Sequence, residues 1–304
     1  MNGYTVYLIL CSLACARLYV YLLRGRLGRG RQALFCLMPV LTGYIGAKAG
    51  FLLFTLSARW ARLGLLMLTE TKPDTFSFMG GTLGVILGLY FCAHITGKKD
   101  SPDFFAAPGA FLTAALRLGE VRLGTLGAGA PLPEGSALTG TLLCVYNTWG
   151  EPFLAVCVLE AAWALAVGVY MALTRRREGA LGRSLVLICS GQVFFEVLRS
   201  NTLTRAFVRA DQVYSVLALL FISLYPLFSR TKKTTAALLP PFCVLLCAAV
   251  NGYMQYCLER PEALPGALSR LPDTRPLCLI TVALTALLMG LAAYSAGAKR
   301  NSRG

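Results

Sequence analysis

Six charged side chains stand inside long apolar runs of this chain or at their ends: Arg17, Lys48, Arg117, Glu160, Glu196 and Arg199. A charge near the centre of a bilayer costs about 3 kcal/mol even on lenient scales, so such groups turn toward a partner or a polar cavity. Lys48 sits mid-run among Gly43, Gly46, Ala47, Ala49 and Gly50. Glu196 and Arg199, spaced i, i+3, share a helix face and can pair, while Arg17 can snorkel to a membrane surface. Two readings are open, a structural network and a polar substrate cavity. Chemically the set holds several cations, two carboxylates and many glycines, with a single histidine, His94. There is no HExxH, no His/Cys cluster at metal spacing, no GxSxG, no P-loop and no dinucleotide fingerprint. No metal or cofactor is expected. Such a site suits an anionic ligand, and in a membrane the commonest is a phospholipid headgroup. Arginine offers phosphate a planar fork, and lysine a compact charge.

The elements that must position these groups are apolar runs: Tyr4–Leu23, Ala33–Leu56, Phe76–Ile95, Phe104–Leu116, Pro152–Leu173, Ser184–Leu198, Val213–Phe228, Ala236–Leu258 and Leu277–Ala296. Most approach the roughly 20 residues that cross a hydrocarbon core of roughly 30 Å. Of 304 residues, 56% are hydrophobic and 14% charged, against about 25% charged in soluble domains. The runs are too long, and lack the period-two alternation, for a barrel wall. The expected fold is an all-α polytopic bundle of about nine transmembrane helices. Phe104–Leu116 is short, and Ser184–Leu198 carries Glu196, so either can be tilted or packed within the bundle. The first run contains Arg17 and lacks a basic leader, so it is expected to remain as a helix.

A net charge of +15 in a soluble protein would point to nucleic acid; here the placement of the charges answers differently. Alternate loops on one side carry sixteen basic residues against three acids: Arg24, Arg26, Arg29, Arg31, Lys98, Lys99, Arg175, Arg176, Arg177, Arg183, Arg230, Lys232, Lys233, Lys299, Arg300 and Arg303 against Asp100, Asp103 and Glu178. The other side carries eleven basic residues against nine acids. Lysine and arginine in short loops favour the cytoplasm, which predicts an N-out, C-in topology and no nucleic-acid partner. The excess also attracts anionic lipid. Eleven cysteines without a CxxC pair read mostly as buried thiols. The one sizeable loop, Gly119–Glu151, is apolar enough to suggest a cap over a membrane cavity; loops of that length are usually functional or disordered.

Several segments resemble the bacterial prolipoprotein diacylglyceryl transferases, which move diacylglycerol from phosphatidylglycerol onto the lipobox cysteine thiol of a prolipoprotein. Residues 46–54, GAKAGFLLF, are similar to that family's GARLGYVLF segment, with Lys48 in the arginine's place. Ser77-Phe78-Met79-Gly80-Gly81, continuing through Val85, resembles SFHGGLIGV. Residues 103–119, DFFAAPGAFLTAALRLG, resemble DLIAPGLPLGLALGRIG, which puts Arg117 at the family's essential arginine. Glu160 falls at the glutamate of its LYE motif, and residues 191–199, GQVFFEVLR, resemble GxxRFxVEFFR with Glu196 and Arg199 retained. The resemblance covers residues 1–230. It implies a seven-helix core with an outer cap loop at 119–151, residues 231–304 adding two C-terminal helices, in a bacterial cytoplasmic membrane. It also implies catalytic roles for Arg117 and Glu196, and phospholipid contacts for Lys48, Arg117, Glu160, Gln192, Arg199, Gly80 and Gly81. The implied partners are phosphatidylglycerol or another anionic phospholipid and a prolipoprotein acceptor.

The departures bear on activity. Met79 stands where the family has the histidine thought to activate the thiol, Gln192 replaces an arginine, and Glu120 and Thr125 stand where an Asn and a Glu are expected. A cysteine thiol of pKa about 8.5 is mostly protonated at neutral pH, and loss of a general base costs about 10²–10⁴-fold. Gly80 and Gly81 are expected to leave room for an imidazole at position 79. Three functions follow: a divergent transferase, a non-catalytic relative that binds phospholipid or lipoprotein, and a structural or transport subunit sharing only the fold.

Overall fold

The computed structural model describes residues 3–55, 75–133, 135–174, 178–200, 204–205, 208–229, 237–264 and 273–298. Nine helices run through them: α1 (Gly3–Leu22), α2 (Arg29–Thr55), α3 (Phe78–Thr96), α4 (Ala106–Gly119), α5 (Val156–Leu173), α6 (Ala180–Leu198), α7 (Ala210–Ser229), α8 (Leu239–Glu259) and α9 (Arg275–Ala298). Among the described residues eight helices are long and apolar enough to cross a membrane, with Val6–Leu22 a shorter apolar one. Among the described residues the named strands form two small hairpins, β1 (Cys144–Tyr146) with β2 (Pro152–Leu154), and β3 (Thr204–Arg205) with β4 (Val208–Arg209). The class is therefore an all-α helical bundle of the multi-pass membrane type. Large side chains such as Leu13, Leu37, Leu53, Leu87, Leu165 and Leu173 are exposed on the helices, as lipid-facing positions require.

The short run at Phe104–Leu116 gains its length from its flanks. A 3-10 turn over Ser101–Phe105 leads into α4, and another over Glu120–Gly127 follows it, so that the apolar span covers Ser101–Gly124. The run expected from Pro152 begins instead as a strand, and α5 starts at Val156. Pro152 has no N–H to give a helix or a ladder, but its carbonyl accepts from Leu132 N at 2.9 Å. Nine of the sixteen basic residues on the first side, Arg175, Arg176, Arg177, Arg230, Lys232, Lys233, Lys299, Arg300 and Arg303, lie outside the described residues, as do Arg59, Arg62, Lys72 and Arg270 of the other side and Leu56, Glu134, Ala236 and Pro265.

The helices form two compact units, residues 1–184 with 198–203, and residues 185–197 with 204–304. This grouping does not follow the 1–230 and 231–304 division of the resemblance, because α7 packs on α8 and α9. Gln212 of α7 donates to Asn251 Oδ1 of α8 at 2.7 Å, and Asn251 Nδ2 to Thr285 Oγ1 of α9 at 3.2 Å. Buried amides joining helices are the usual adhesive where lipid removes the hydrophobic drive.

In the first unit, α2 and α3 make a close pair through small residues. A Cβ on Gly46 would lie 2.5 Å from Gly80 O and 2.9 Å from Gly84 Cα, and one on Gly80 would lie 2.6 Å from Gly46 O. Such small-xxx-small faces let backbones approach within membranes. Ser77 caps α3, its Oγ accepting from Gly80 N at 3.0 Å, and Ser77 N donates to Ala47 O of α2 at 3.0 Å. At one end of the unit, Tyr19, Leu23, Leu27, Phe35, Leu89 and Phe104 form a buried core. Arg26 pairs with Asp100 at 2.9 Å, and the Asp103 carboxylate accepts from Gly179 N and Leu181 N at the start of α6. Three connections that the charge count assigns to one side are thereby tied together.

Candidate functional site

The polar centre of the first unit is built from four side chains on four elements. Arg117 lies in the last turn of α4, Glu120 opens the following 3-10 turn, Glu160 lies on α5, and Arg199 follows the end of α6. Helices α4 and α5 pack together, so Arg117 and Glu160 face each other across their contact. The segment carrying Arg199 is held by the long loop: Ser200 N and Ser200 Oγ both donate to Ala128 O, at 3.0 and 3.1 Å. A Cβ on Gly129 would meet Leu198 O at 2.6 Å, so only glycine permits that approach. The same loop is pinned to β2 by Gly129 N to Leu154 O at 2.7 Å and Leu154 N to Ala130 O at 3.0 Å.

Each arginine touches each carboxylate. Arg117 Nη1 donates to Glu120 Oε1 at 2.7 Å, and its Nε stands 3.0 Å from Glu160 Oε2. Arg199 grips Glu160 with Nε to Oε1 at 3.1 Å and Nη2 to Oε2 at 2.7 Å, and Nη2 also reaches Glu120 Oε2 at 2.5 Å. The Phe78 ring centroid lies 3.7 Å from Arg117 Cζ, a stacking geometry that suits a guanidinium. Relative exposures are 2% for Arg117, 8% for Glu120, 3% for Glu160 and 7% for Arg199. Two cations and two anions leave no net charge, which is how a low-dielectric interior tolerates four ions. An incoming anion meets this group as a competitor for arginines already engaged, and Glu120 is the most exposed of the four.

The structure thus brings together Arg117, Glu160 and Arg199 of the expected site and adds Glu120, which the sequence shows only as an outer acid and a departure from the resembled family. The signal was its i, i+3 spacing from Arg117, though α4 gives way to a 3-10 turn between them. Lys48, 4% exposed, donates to Thr75 Oγ1 at 2.9 Å and Thr75 O at 3.3 Å, with the Phe76 ring centroid 4.0 Å away. It thereby fastens the segment that enters α3. Gly80 and Gly81 lie on the face of α3 covered by α2, a Cβ on Gly81 falling 3.3 Å from Ala47 Cβ. The room expected beside position 79 is filled by helix α2, and Met79 itself is fully buried. Arg17 is exposed on α1. Gln192 and Glu196 belong to the second unit, where Gln192 Nε2 donates to Glu196 Oε1 at 2.8 Å and Arg209 donates to the Glu196 carbonyl.

Among the described residues no group of three or more His, Cys, Asp or Glu side chains could hold a metal ion. No disulfide joins any of the eleven cysteines, and Cys144 is buried on β1. No protein-family model matches the chain, and no curated protein matches it.

Proposed function

We propose that this chain is a divergent relative of the prolipoprotein diacylglyceryl transferases, handling phosphatidylglycerol in the bacterial cytoplasmic membrane and passing its diacylglycerol to a lipobox cysteine thiol. On this reading it has nine crossings with the N-terminus outside and the C-terminus inside, a seven-helix core and two added C-terminal helices. One observation carries the proposal: Arg117 and Arg199, remote in sequence and each in a segment resembling that family, converge on the same two carboxylates. A phosphoryl leaving group needs fixed positive charge aimed at it, and these two guanidinium groups are its source. Glu120 would have to yield its hold on both for a phosphate to enter. Glu160 keeps the pair in position. Lys48, Gly80 and Gly81 act from behind the site, Lys48 by fastening the entry to α3 and the two glycines by seating α3 on α2.

A second reading, a relative that binds phospholipid or lipoprotein without transfer, is favoured by two specific observations. Met79 cannot accept a proton from the thiol, and Glu120 and Glu160 neutralise the arginine pair. The test is purified protein incubated with phosphatidylglycerol and a lipobox peptide, with the thioether product sought by mass and lipid retention followed by native mass spectrometry. Product formation establishes the transferase. Retained phosphatidylglycerol without product establishes the binding protein, and failure of both removes the two readings together.

A further inference from the structure

We propose that the β1–β2 hairpin is a membrane-interface anchor, which lays Trp149, with Tyr146, into the headgroup boundary of the surrounding lipid. The turn is built to hold its tip in one conformation. Asn147 Oδ1 accepts from both Trp149 N and Glu151 N at 2.9 Å, and Asn147 Nδ2 donates to Glu151 Oε2 at 2.7 Å. Gly150 takes a φ of 80°, open to glycine at no steric cost. Yet this ordered turn presents its large side chains outward: Trp149 is 86% exposed and Tyr146, at the end of β1, 46%. Apolar side chains clustered on a rigid loop mark a contact surface.

The position of the hairpin identifies what covers it. Tyr146, Asn147, Thr148 and Trp149 share a groove with Leu123 and Gly124, the last two residues of the span Ser101–Gly124. A Cβ on Gly124 would lie 3.8 Å from Tyr146 O, so the hairpin backbone rests against the end of that span. Its other strand, β2, runs into α5 at Val156, where the next span begins. The tip therefore lies at the level where apolar helix gives way to polar chain. Indole and phenol rings concentrate at that level in membrane proteins, because an apolar body meets the acyl chains while the N–H or O–H stays wet. The polar groups of the turn, Asn147, Thr148 and Glu151, fit the headgroup layer and not the hydrocarbon. Arg122, exposed on the adjoining 3-10 turn, supplies a cation for lipid phosphate.

The test uses the full chain in nanodiscs of phosphatidylcholine and phosphatidylglycerol, with Trp60→Phe and Trp163→Phe leaving Trp149 as the one indole. Lipids brominated near the headgroup end of the acyl chain are expected to quench Trp149 strongly, and lipids brominated near the methyl end weakly. A companion variant keeping only Trp163, which is 38% exposed on the span Val156–Leu173, calibrates lipid quenching. Where the double variant does not fold, the loss of quenchable emission between the unaltered chain and Trp149→Ser gives the same readout. Emission as in free water, quenched by iodide and indifferent to brominated lipid, overturns the proposal. Shielding from iodide without any lipid quenching overturns it equally, and assigns the surface to a protein partner.

Discussion

Glu160 is the side chain on which the polar centre turns, since both of its oxygens are engaged and both arginines depend on it. Glu160→Ala leaves two buried cations facing one carboxylate, and breaking a buried pair from one side costs about 3–5 kcal/mol. Thermal unfolding in detergent is expected to show a loss of that order, and a melting temperature unchanged from the unaltered chain would mean that the four ions are not coupled. Glu120 is expected to behave differently, because it bridges the two guanidinium groups as an external oxyanion would. Glu120→Gln leaves the group with one net positive charge while keeping its shape. Phosphatidylglycerol retention in native mass spectrometry is expected to strengthen at least tenfold, about 1.4 kcal/mol. Equal retention by both forms would show that Glu120 does not compete with lipid.

At the scale of helices, the glycines of α2 and α3 are contact residues. Gly46→Ala would push a methyl into Gly80 O and Gly84 Cα, backbone atoms that cannot rotate away. Overpacking of this kind costs about 1–3 kcal/mol. Gly182→Ala on α6 meets nothing within 4 Å and is expected to be neutral or stabilising by about 0.5–1 kcal/mol, as alanine replacing glycine within a helix usually is. Comparing the two melting temperatures isolates the contact, and similar shifts for both would remove it. In the second unit, Asn251→Leu deletes the link from α7 through α8 to α9. Interhelical hydrogen bonds in membranes are worth about 1 kcal/mol, and unfolding should shift accordingly.

For the whole molecule, the basic bias and the tied connections at Arg26–Asp100 and Asp103–Gly179 argue for one topology. Reporter fusions after Arg31, Lys99, Arg177, Lys233 and Arg303 are expected to read cytoplasmic, and fusions near Glu134 and Pro265 external. An external signal after Arg177 would break the alternation and, with it, the alignment of segments on which the proposed function rests.

The existence and order of the helices were legible in sequence because membrane crossing is a one-dimensional constraint: roughly 20 apolar residues suffice, whatever they touch. The apolar runs accordingly match α1 to α9 to within a few residues at most ends. The polar centre was legible only in part. Placement in or beside apolar runs singled out Arg17, Lys48, Arg117, Glu160, Glu196 and Arg199 as charges that need partners, but partner choice is a matter of three-dimensional proximity, and Arg17 is exposed. Arg199 takes Glu120 and Glu160 because Ala128 and Gly129 hold its segment beside α4 and α5, an arrangement with no local periodicity. The same limit explains Gly80 and Gly81: a glycine in sequence leaves space, and only the packing of α2 decides whether that space stays empty.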